Sequence, residues 1–151
     1  MKPCSRSMNR KDNPIVTDVY IFDAYALLAL LSDEAGAHHV AAILADLNNE
    51  VRVSAINVGE VYCILLRRRG PEAAQRAEET IFEQPRLDVI APTWGRIRAA
   101  AEIKAEGGLS FADAFAAALA RELSAPVVTG DPEFEAMERR GTIRVVWLKR
   151  R

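Results

Sequence analysis

The sequence has little of the features that mark secreted or membrane proteins. Only two of its 151 residues are cysteine, too few for the disulfide framework of a small secreted domain. Its longest apolar runs, such as AYALLALL, are far shorter than the roughly 20 residues that cross a bilayer. The basic segment MKPCSRSMNRKDNP is not followed by the apolar core and cleavage site of a signal peptide. We therefore expect a cytoplasmic protein with no membrane partner.

An excess of charge of one sign is also missing. The formal net charge is −1, which argues against a broadly basic surface for nucleic acid. Local patches remain, of which the run Arg67–Arg69 is the clearest, although such a run more often forms a solvated face. With 50% hydrophobic and 27% charged residues, the composition is that of one globular domain. We predict a mobile leader over residues 1–14 and a single domain over residues 15–151.

Short β-type runs alternate with helical patterns along the chain. The helical patterns carry apolar residues at positions i, i+3 and i+4. The predicted strands are Val19–Phe22, Val51–Ser54, Leu87–Ala91, Pro126–Thr129 and Arg144–Leu148. The predicted helices are Ala24–Leu31, Ala37–Leu47, Ile56–Arg68, Glu72–Phe82, Thr93–Ala105, Phe111–Leu123 and Pro132–Arg139. This alternation predicts an α/β domain with a mainly parallel five-stranded sheet.

Acidic residues follow the predicted strands, where ligand sites of parallel sheets are found. Asp23 directly follows the first strand, and Asp131 follows the fourth in VVTGDPEF. Asp113 lies in the first turn of the helix before the fourth strand. Each aspartate also has a purely structural interpretation as part of a helix cap, because Asp is favoured at N-caps. Ser110 and Asp113 likewise form an S-x-x-D capping pattern.

Glu60 has no such structural explanation. It lies well inside a predicted helix and shares a helical face with Ile56 and Ile64. Burying an unpaired carboxylate among apolar residues is costly. If Glu60 instead projects into a cleft with the three aspartates, a divalent cation would offset the repulsion among the carboxylates. Carboxylate oxygens are the ligands that Mg²⁺ or Mn²⁺ prefers, and Thr129 could hydrogen-bond and orient one of them.

Four segments of the chain together resemble the acidic motifs of the PIN domain. They are FDAYALLALL, SAINVGEVYCIL, LSFADAFAAALA and VVTGDPEF, in this order. The resemblance is closest to VapC-type toxins of bacterial type II toxin–antitoxin pairs and extends from Val16 to Trp147. It implies a PIN-like three-layer sandwich, in which helices flank the sheet on both faces. The positions that match the family's acids are Asp23, Glu60, Asp113 and Asp131.

The resemblance also implies an activity and partners. It implies an endoribonuclease that depends on Mg²⁺ or Mn²⁺ held by the four acids. The partners would be the RNA substrate, a cognate VapB-type antitoxin and a second copy of the chain in a homodimer. Arg67, Arg68 and Arg69 are the candidates to hold the RNA backbone. Thr129 matches the hydroxyl position often found beside the last acid, whereas Tyr25 stands where the family often has Ser or Thr.

The apolar residues of the first two helices exceed what one sheet face needs. We expect Leu28, Leu31 and Ile43 to be exposed and to form the dimer contact and a groove for an apolar antitoxin helix. The same kind of pattern, the apolar run EVYCILL, leads us to expect that Cys63 is a small buried thiol.

Two other α/β families with early acidic residues do not fit the sequence. A haloacid-dehalogenase-like phosphatase needs a second Asp two residues after the first, where this chain has Tyr25. A phosphoacceptor receiver domain needs an Asp and a Lys after its middle and late strands, which LDVIAPT and VVTGDPEF do not supply. Two alternatives stay open: a non-catalytic PIN-like binding or scaffold module, and a DNA nuclease.

Overall fold

A five-stranded sheet in which every strand pair is parallel forms the centre of the fold. The structure is a computed structural model that describes residues 17–148. Its strands are β1 (Asp18–Phe22), β2 (Asn49–Ser54), β3 (Leu87–Ile90), β4 (Val127–Thr129) and β5 (Val145–Trp147), in the order β3-β2-β1-β4-β5. Its helices are α1 (Ala24–Leu31), α2 (Ala37–Ala45), α3 (Ala55–Arg69), α4 (Pro71–Glu83), α5 (Trp94–Glu106), α6 (Phe111–Leu123) and α7 (Glu135–Arg139).

The helices cover both faces of the sheet, so the predicted three-layer α/β sandwich is confirmed. Successive strand residues point to opposite faces, and Ile21 and Phe22 accordingly belong to different core clusters. The Phe22 side of the sheet packs against α1 to α4, and the Ile21 side packs against α5 to α7. Because both faces are buried, β1 is apolar from Val19 to Phe22 and β4 is apolar at Val127 and Val128.

β1 is the middle strand, and later strands are added first on one side of it and then on the other. β2 and β3 lie on one side of β1, and β4 and β5 lie on the other. The boundary between β1 and β4 is therefore the topological switch point of the sheet, where ligand sites of such folds lie. The register pairs Phe22 with both Val53 and Val128, so the residues that follow, Asp23 and Thr129, end side by side at this boundary.

Two of the predicted helices differ from the structure by more than one residue, each for a local reason. α2 ends at Ala45 rather than at residue 47, because the Asp46 carboxylate accepts a hydrogen bond from the Asn48 amide and turns the chain. The predicted helix over residues 132–139 is divided into a 3-10 turn, Pro132–Phe134, and the short α7. Proline at the first position of that turn is compatible with a helix start but donates no amide hydrogen bond.

Three predictions about burial are wrong. Leu28 and Ile43 are buried within the single chain and Leu31 is half-buried, because α1 and α2 pack against each other and against the sheet. They therefore do not form an exposed apolar surface for a dimer or an antitoxin helix. Cys63 is exposed, since the buried side of α3 is formed by Asn57, Val58, Val61 and Leu65.

Two further predictions concern the ends of the chain and the membrane. The predicted leader over residues 1–14 lies outside the described residues, so its boundary stays a prediction. Between residues 17 and 148, the structure contains no helix that is both long and apolar enough to cross a membrane.

Candidate metal centre

Asp23 is placed at the sheet edge by the end of β1 and the start of α1. Its carboxylate is 1% exposed and caps α1 by accepting a hydrogen bond from the Ala26 amide at 2.9 Å. The other carboxylate oxygen accepts a hydrogen bond from the Thr129 hydroxyl. Both oxygens are thus held in place, and the capping interpretation of Asp23 is correct without excluding a second role.

Thr129 connects the first and last of the predicted acids. Its hydroxyl is fully buried, donates to Asp23, and accepts a hydrogen bond from the Asp131 amide at 3.0 Å. The structure therefore shows the contact that the sequence suggested for this threonine. One small side chain fixes the carboxylate of β1 relative to the turn that follows β4.

Asp131, Asp113 and Glu133 form the most compact acidic cluster of the described residues. One carboxylate oxygen from each lies within 4.8 Å of the others. Asp131 accepts from the Glu133 amide at 2.9 Å, which turns the Glu133 side chain back toward the cluster. Glu133 also accepts from the Ser110 amide at the start of α6 at 3.3 Å. The sequence prediction missed Glu133, although two acids in the GDPEF turn directly after a buried strand would have pointed to it.

Glu60 lies on the second turn of α3 and is half-buried. It is therefore not in the middle of the buried stripe, contrary to the sequence interpretation, but at its border. Its Oε2 atom is buried and has no hydrogen-bond partner among the described residues. The charges of Asp131 and Glu133 both raise the pKa of Glu60, which places this carboxyl group beside the cluster.

Burial and mutual repulsion raise the pKa values of these acids in the metal-free protein. Removal from water is the main cause for Asp23, whose pKa rises to about 7, with contributions from the charges of Asp131 and Glu60. Burial also raises the pKa of Asp113 to about 8, and a hydrogen bond with Glu133 adds to the rise. For Glu60 the pKa is raised by burial first and by neighbouring acids second. Each group influences at least one of the others, so the predicted acids occupy one site.

Within residues 17–148, no basic side chain forms an ion pair with this acidic site. The ion pairs within residues 17–148 all use other acids, namely Glu50, Asp88, Glu122 and Glu102. An all-oxygen donor set with a buried, unpartnered carboxylate oxygen fits a hard divalent cation. The residues present therefore fit a magnesium or manganese site.

The family follows from a match over most of the chain. The model of the PIN domain family matches residues 20–140. The chain belongs to the PIN domain family. No curated protein sequence matches it significantly.

Several solved structures have the same fold as this PIN domain. VapC20 of Mycobacterium tuberculosis, described as a sarcin-ricin loop cleaving toxin, is 24% identical, with a TM-score of 0.65 over 78% of this chain and 93% of that one. A chain of VapBC2 from Rickettsia felis, bound to a promoter DNA fragment, is 18% identical, with a TM-score of 0.67 over 87% and 99%. A chain of DNA-bound VapBC from Salmonella typhimurium is 17% identical, with a TM-score of 0.67 over 86% and 98%.

Tyr25, the departure from the usual PIN pattern, packs against the turn that carries Asp131. A Cβ atom built on Gly130 would lie only 2.4 Å from the Tyr25 ring. The ring thus occupies the space that a side chain at position 130 would need. A glycine is required there, and Tyr25 supports the turn between Thr129 and Asp131.

The arginine patch of the PIN domain lies away from the acids. Arg67, Arg68 and Arg69 are exposed in the last turn of α3, whereas Glu60 lies near its beginning. At 1.5 Å per residue, Arg67 is about 10 Å from Glu60 along the helix axis. A groove of about 440 Å³ between α5 and α6 likewise contains none of the four predicted acids. The candidate site is therefore the carboxylate cleft itself.

Proposed function

We propose that the protein is a metal-dependent endoribonuclease that acts as the toxin of a type II toxin–antitoxin pair. The observation that carries this proposal is the acidic cleft at the switch point of the sheet. It combines Asp23, Glu60, Asp113 and Asp131 and leaves them without a basic partner among residues 17–148. Membership of the PIN domain family supports the same conclusion.

The four acids and Glu133 would hold the cation. Bound Mg²⁺ or Mn²⁺ would supply positive charge for the phosphate under attack and lower the pKa of a bound water. The chain contributes orientation: Thr129 and the Ala26 amide hold both oxygens of Asp23. The Thr129 hydroxyl also accepts from the Asp131 amide, so Asp23 and Asp131 keep a fixed separation before the cation binds.

RNA is the proposed substrate and an antitoxin the proposed partner. One structural neighbour is described as a toxin that cleaves the sarcin-ricin loop, an RNA element. Others were solved as toxin–antitoxin complexes. We include a VapB-type antitoxin in the proposal on this support, and a homodimer as what the family resemblance implies. Arg67, Arg68 and Arg69 would contact phosphates only if the bound RNA extends beyond the cleft.

Cleavage by purified protein decides the activity. We expect cellular RNA to be cut at discrete positions in Mg²⁺ or Mn²⁺ and to stay intact when EDTA is added. Asp131→Asn should abolish cutting, because a neutral amide is a poorer ligand for a hard cation. Asp18→Asn is the matched control, since Asp18 lies at the opposite end of the sheet, at the start of β1.

The remaining functions give different results in the same assay. A DNA nuclease would cut single-stranded DNA of the same sequence faster than RNA. A non-catalytic binding module would leave both nucleic acids intact at every metal concentration. Either result would overturn the proposed ribonuclease.

A further inference from the structure

Asn57 is a buried polar residue, and packing of the core does not explain why an amide stands at this position. It is 0% exposed and lies in the first turn of α3. Its Nδ2 atom donates a hydrogen bond to the backbone carbonyl of Ala112 at 3.0 Å. Its Oδ1 atom is buried without a partner among the described residues. A leucine of similar size would leave no unpaired acceptor, so an amide at this position calls for another reason.

The hydrogen bond to Ala112 joins two helices that carry acids of the cleft. Ala112 precedes Asp113 in the first turn of α6, and Glu60 lies one turn after Asn57 on α3. Residues three apart on a helix share a face, so Asn57 and Glu60 face the same neighbours. This hydrogen bond joins residues 55 positions apart and directly links the first turns of α3 and α6.

The amide group also acts on Glu60 itself. An amide nitrogen has two hydrogens to donate, and only one is used by Ala112. Burial raises the pKa of Glu60, and the Asn57 amide opposes part of that rise. Asn57 thus donates to the backbone beside Asp113 and lies one turn from Glu60 on the same face of α3.

We propose that Asn57 is a positioning residue that sets the separation of Glu60 and Asp113 and thereby the affinity of the cleft for a divalent cation. This rests on the proposed metal-dependent function. In this proposal Asn57 acts through its hydrogen bond to Ala112 and not as a ligand. Partners that orient ligands typically change metal affinity by about 10- to 100-fold when removed.

The chain offers a matched control in Asn49. Asn49 is also buried, and its Nδ2 atom also donates to a backbone carbonyl at 3.0 Å, that of Ile43. It lies at the start of β2, at the opposite edge of the sheet from the acids. Asn49→Leu and Asn57→Leu therefore remove the same kind of bond from a buried site, and only Asn57→Leu removes it beside the acids.

The experiment measures Mn²⁺ affinity by calorimetry on the full chain, with denaturant unfolding in EDTA alongside. We expect Asn57→Leu to weaken Mn²⁺ binding by about 10-fold or more and Asn49→Leu to leave it unchanged. Cleavage by Asn57→Leu should recover toward the wild-type rate as Mn²⁺ is raised. Equal Mn²⁺ affinities for wild type and Asn57→Leu would overturn the positioning role while leaving the proposed ribonuclease intact. Absence of Mn²⁺ binding by the wild-type protein would instead overturn both.

A second variant guards against a loss of folding. Asn57→Ala removes the amide donor without adding bulk or charge. We expect it to weaken Mn²⁺ binding as Asn57→Leu does, and Mn²⁺ affinity equal to that of wild type would contradict the proposal.

Discussion

The two ends of the strands, called the amino edge and the carboxyl edge of the sheet, differ in how their polar groups are paired. At the amino edge, where the strands begin, Arg86 donates to the carbonyls of Asp46 and Asn49, and Arg144 donates to that of Ser124. At the carboxyl edge, burial and neighbouring charges raise the pKa values of Asp23, Glu60 and Asp113. Within residues 17–148 no basic side chain forms an ion pair with them.

The amino edge of the sheet, with its paired polar groups, contributes to stability, whereas the carboxyl edge, with its clustered acids, carries the candidate site. At the amino edge, guanidinium groups donate to backbone carbonyls of the same chain. The carboxyl edge concentrates like charge and retains unpaired oxygens on Asn57 and Glu60. Such a site is destabilising until a cation binds, so the same acids that weaken the metal-free fold would make it responsive to metal.

Glu60→Gln should have the largest effect on RNA cleavage, because it removes one of the acids at the carboxyl edge. Removing the charge relieves repulsion, so the metal-free protein should be no less stable than wild type. RNA cleavage should fall by more than about 100-fold, beyond what loss of an orienting partner costs, because an amide does not offset the charge of the cation.

Glu50→Gln is the control for Glu60→Gln at the amino half of the sheet. It removes the ion pair with Arg52, so stability should fall by about 0.2 to 1 kcal/mol while cleavage is kept. Cleavage at the wild-type rate by Glu60→Gln under limiting Mg²⁺ would remove Glu60 from the site.

Metal addition should stabilise the carboxyl edge by mass action. Mn²⁺ at about 100 times its dissociation constant should add about 2.7 kcal/mol to the free energy of unfolding, seen as a higher Tm. Asp23→Asn should reduce this shift strongly, whereas Asp18→Asn, on the same strand, should keep it. Equal shifts for all three proteins would show that the metal binds elsewhere.

Gly130→Ala sharpens the role of Tyr25 in supporting the acidic turn. The new Cβ would lie 2.4 Å from the Tyr25 ring, and overpacking of this kind costs about 1 to 3 kcal/mol. Tyr25→Ala makes room, so the double variant should be more stable than the sum of the two single changes indicates. Gly95→Ala, where nothing lies within 4 Å, should instead stabilise α5. Denaturant unfolding of the four variants measures both effects.

The pH dependence of the metal-free protein is the most gradual of these effects. Asp23 and Asp113 have ordinary pKa values of 3.8 and folded values of about 7 and about 8. The folded state therefore binds more protons than the unfolded state between about pH 4 and pH 8, and stability falls as pH rises through this window.

Asp113→Asn tests the sign of this pH dependence. It should flatten the fall in stability above pH 6, whereas Asp88→Asn, an exposed acid on β3, should not change it. Unfolding in EDTA at a series of pH values provides the measurement. Wild-type stability that rises between pH 5 and pH 8 would contradict the raised pKa values.

Periodicity and turn chemistry were sufficient to predict most of the architecture. β1 and β4 are recognisable as apolar runs because both of their faces are buried, and Asp23 and Ser110 cap helices where the sequence pattern indicates. The PIN motifs also identified four acids without coordinates, because parallel strands bring their carboxyl ends to one edge.

Only the tertiary structure decided which residues beyond these motifs belong to the cleft. Glu133 joins it because Asp131 and Ser110 turn it inward, and Asn57 because α6 brings a carbonyl 55 positions away into reach. Leu28 and Ile43 were assigned to the surface because periodicity records which residues share a face but not how many layers cover that face. Burial and contact across long sequence separations depend on packing between elements, which no local pattern encodes.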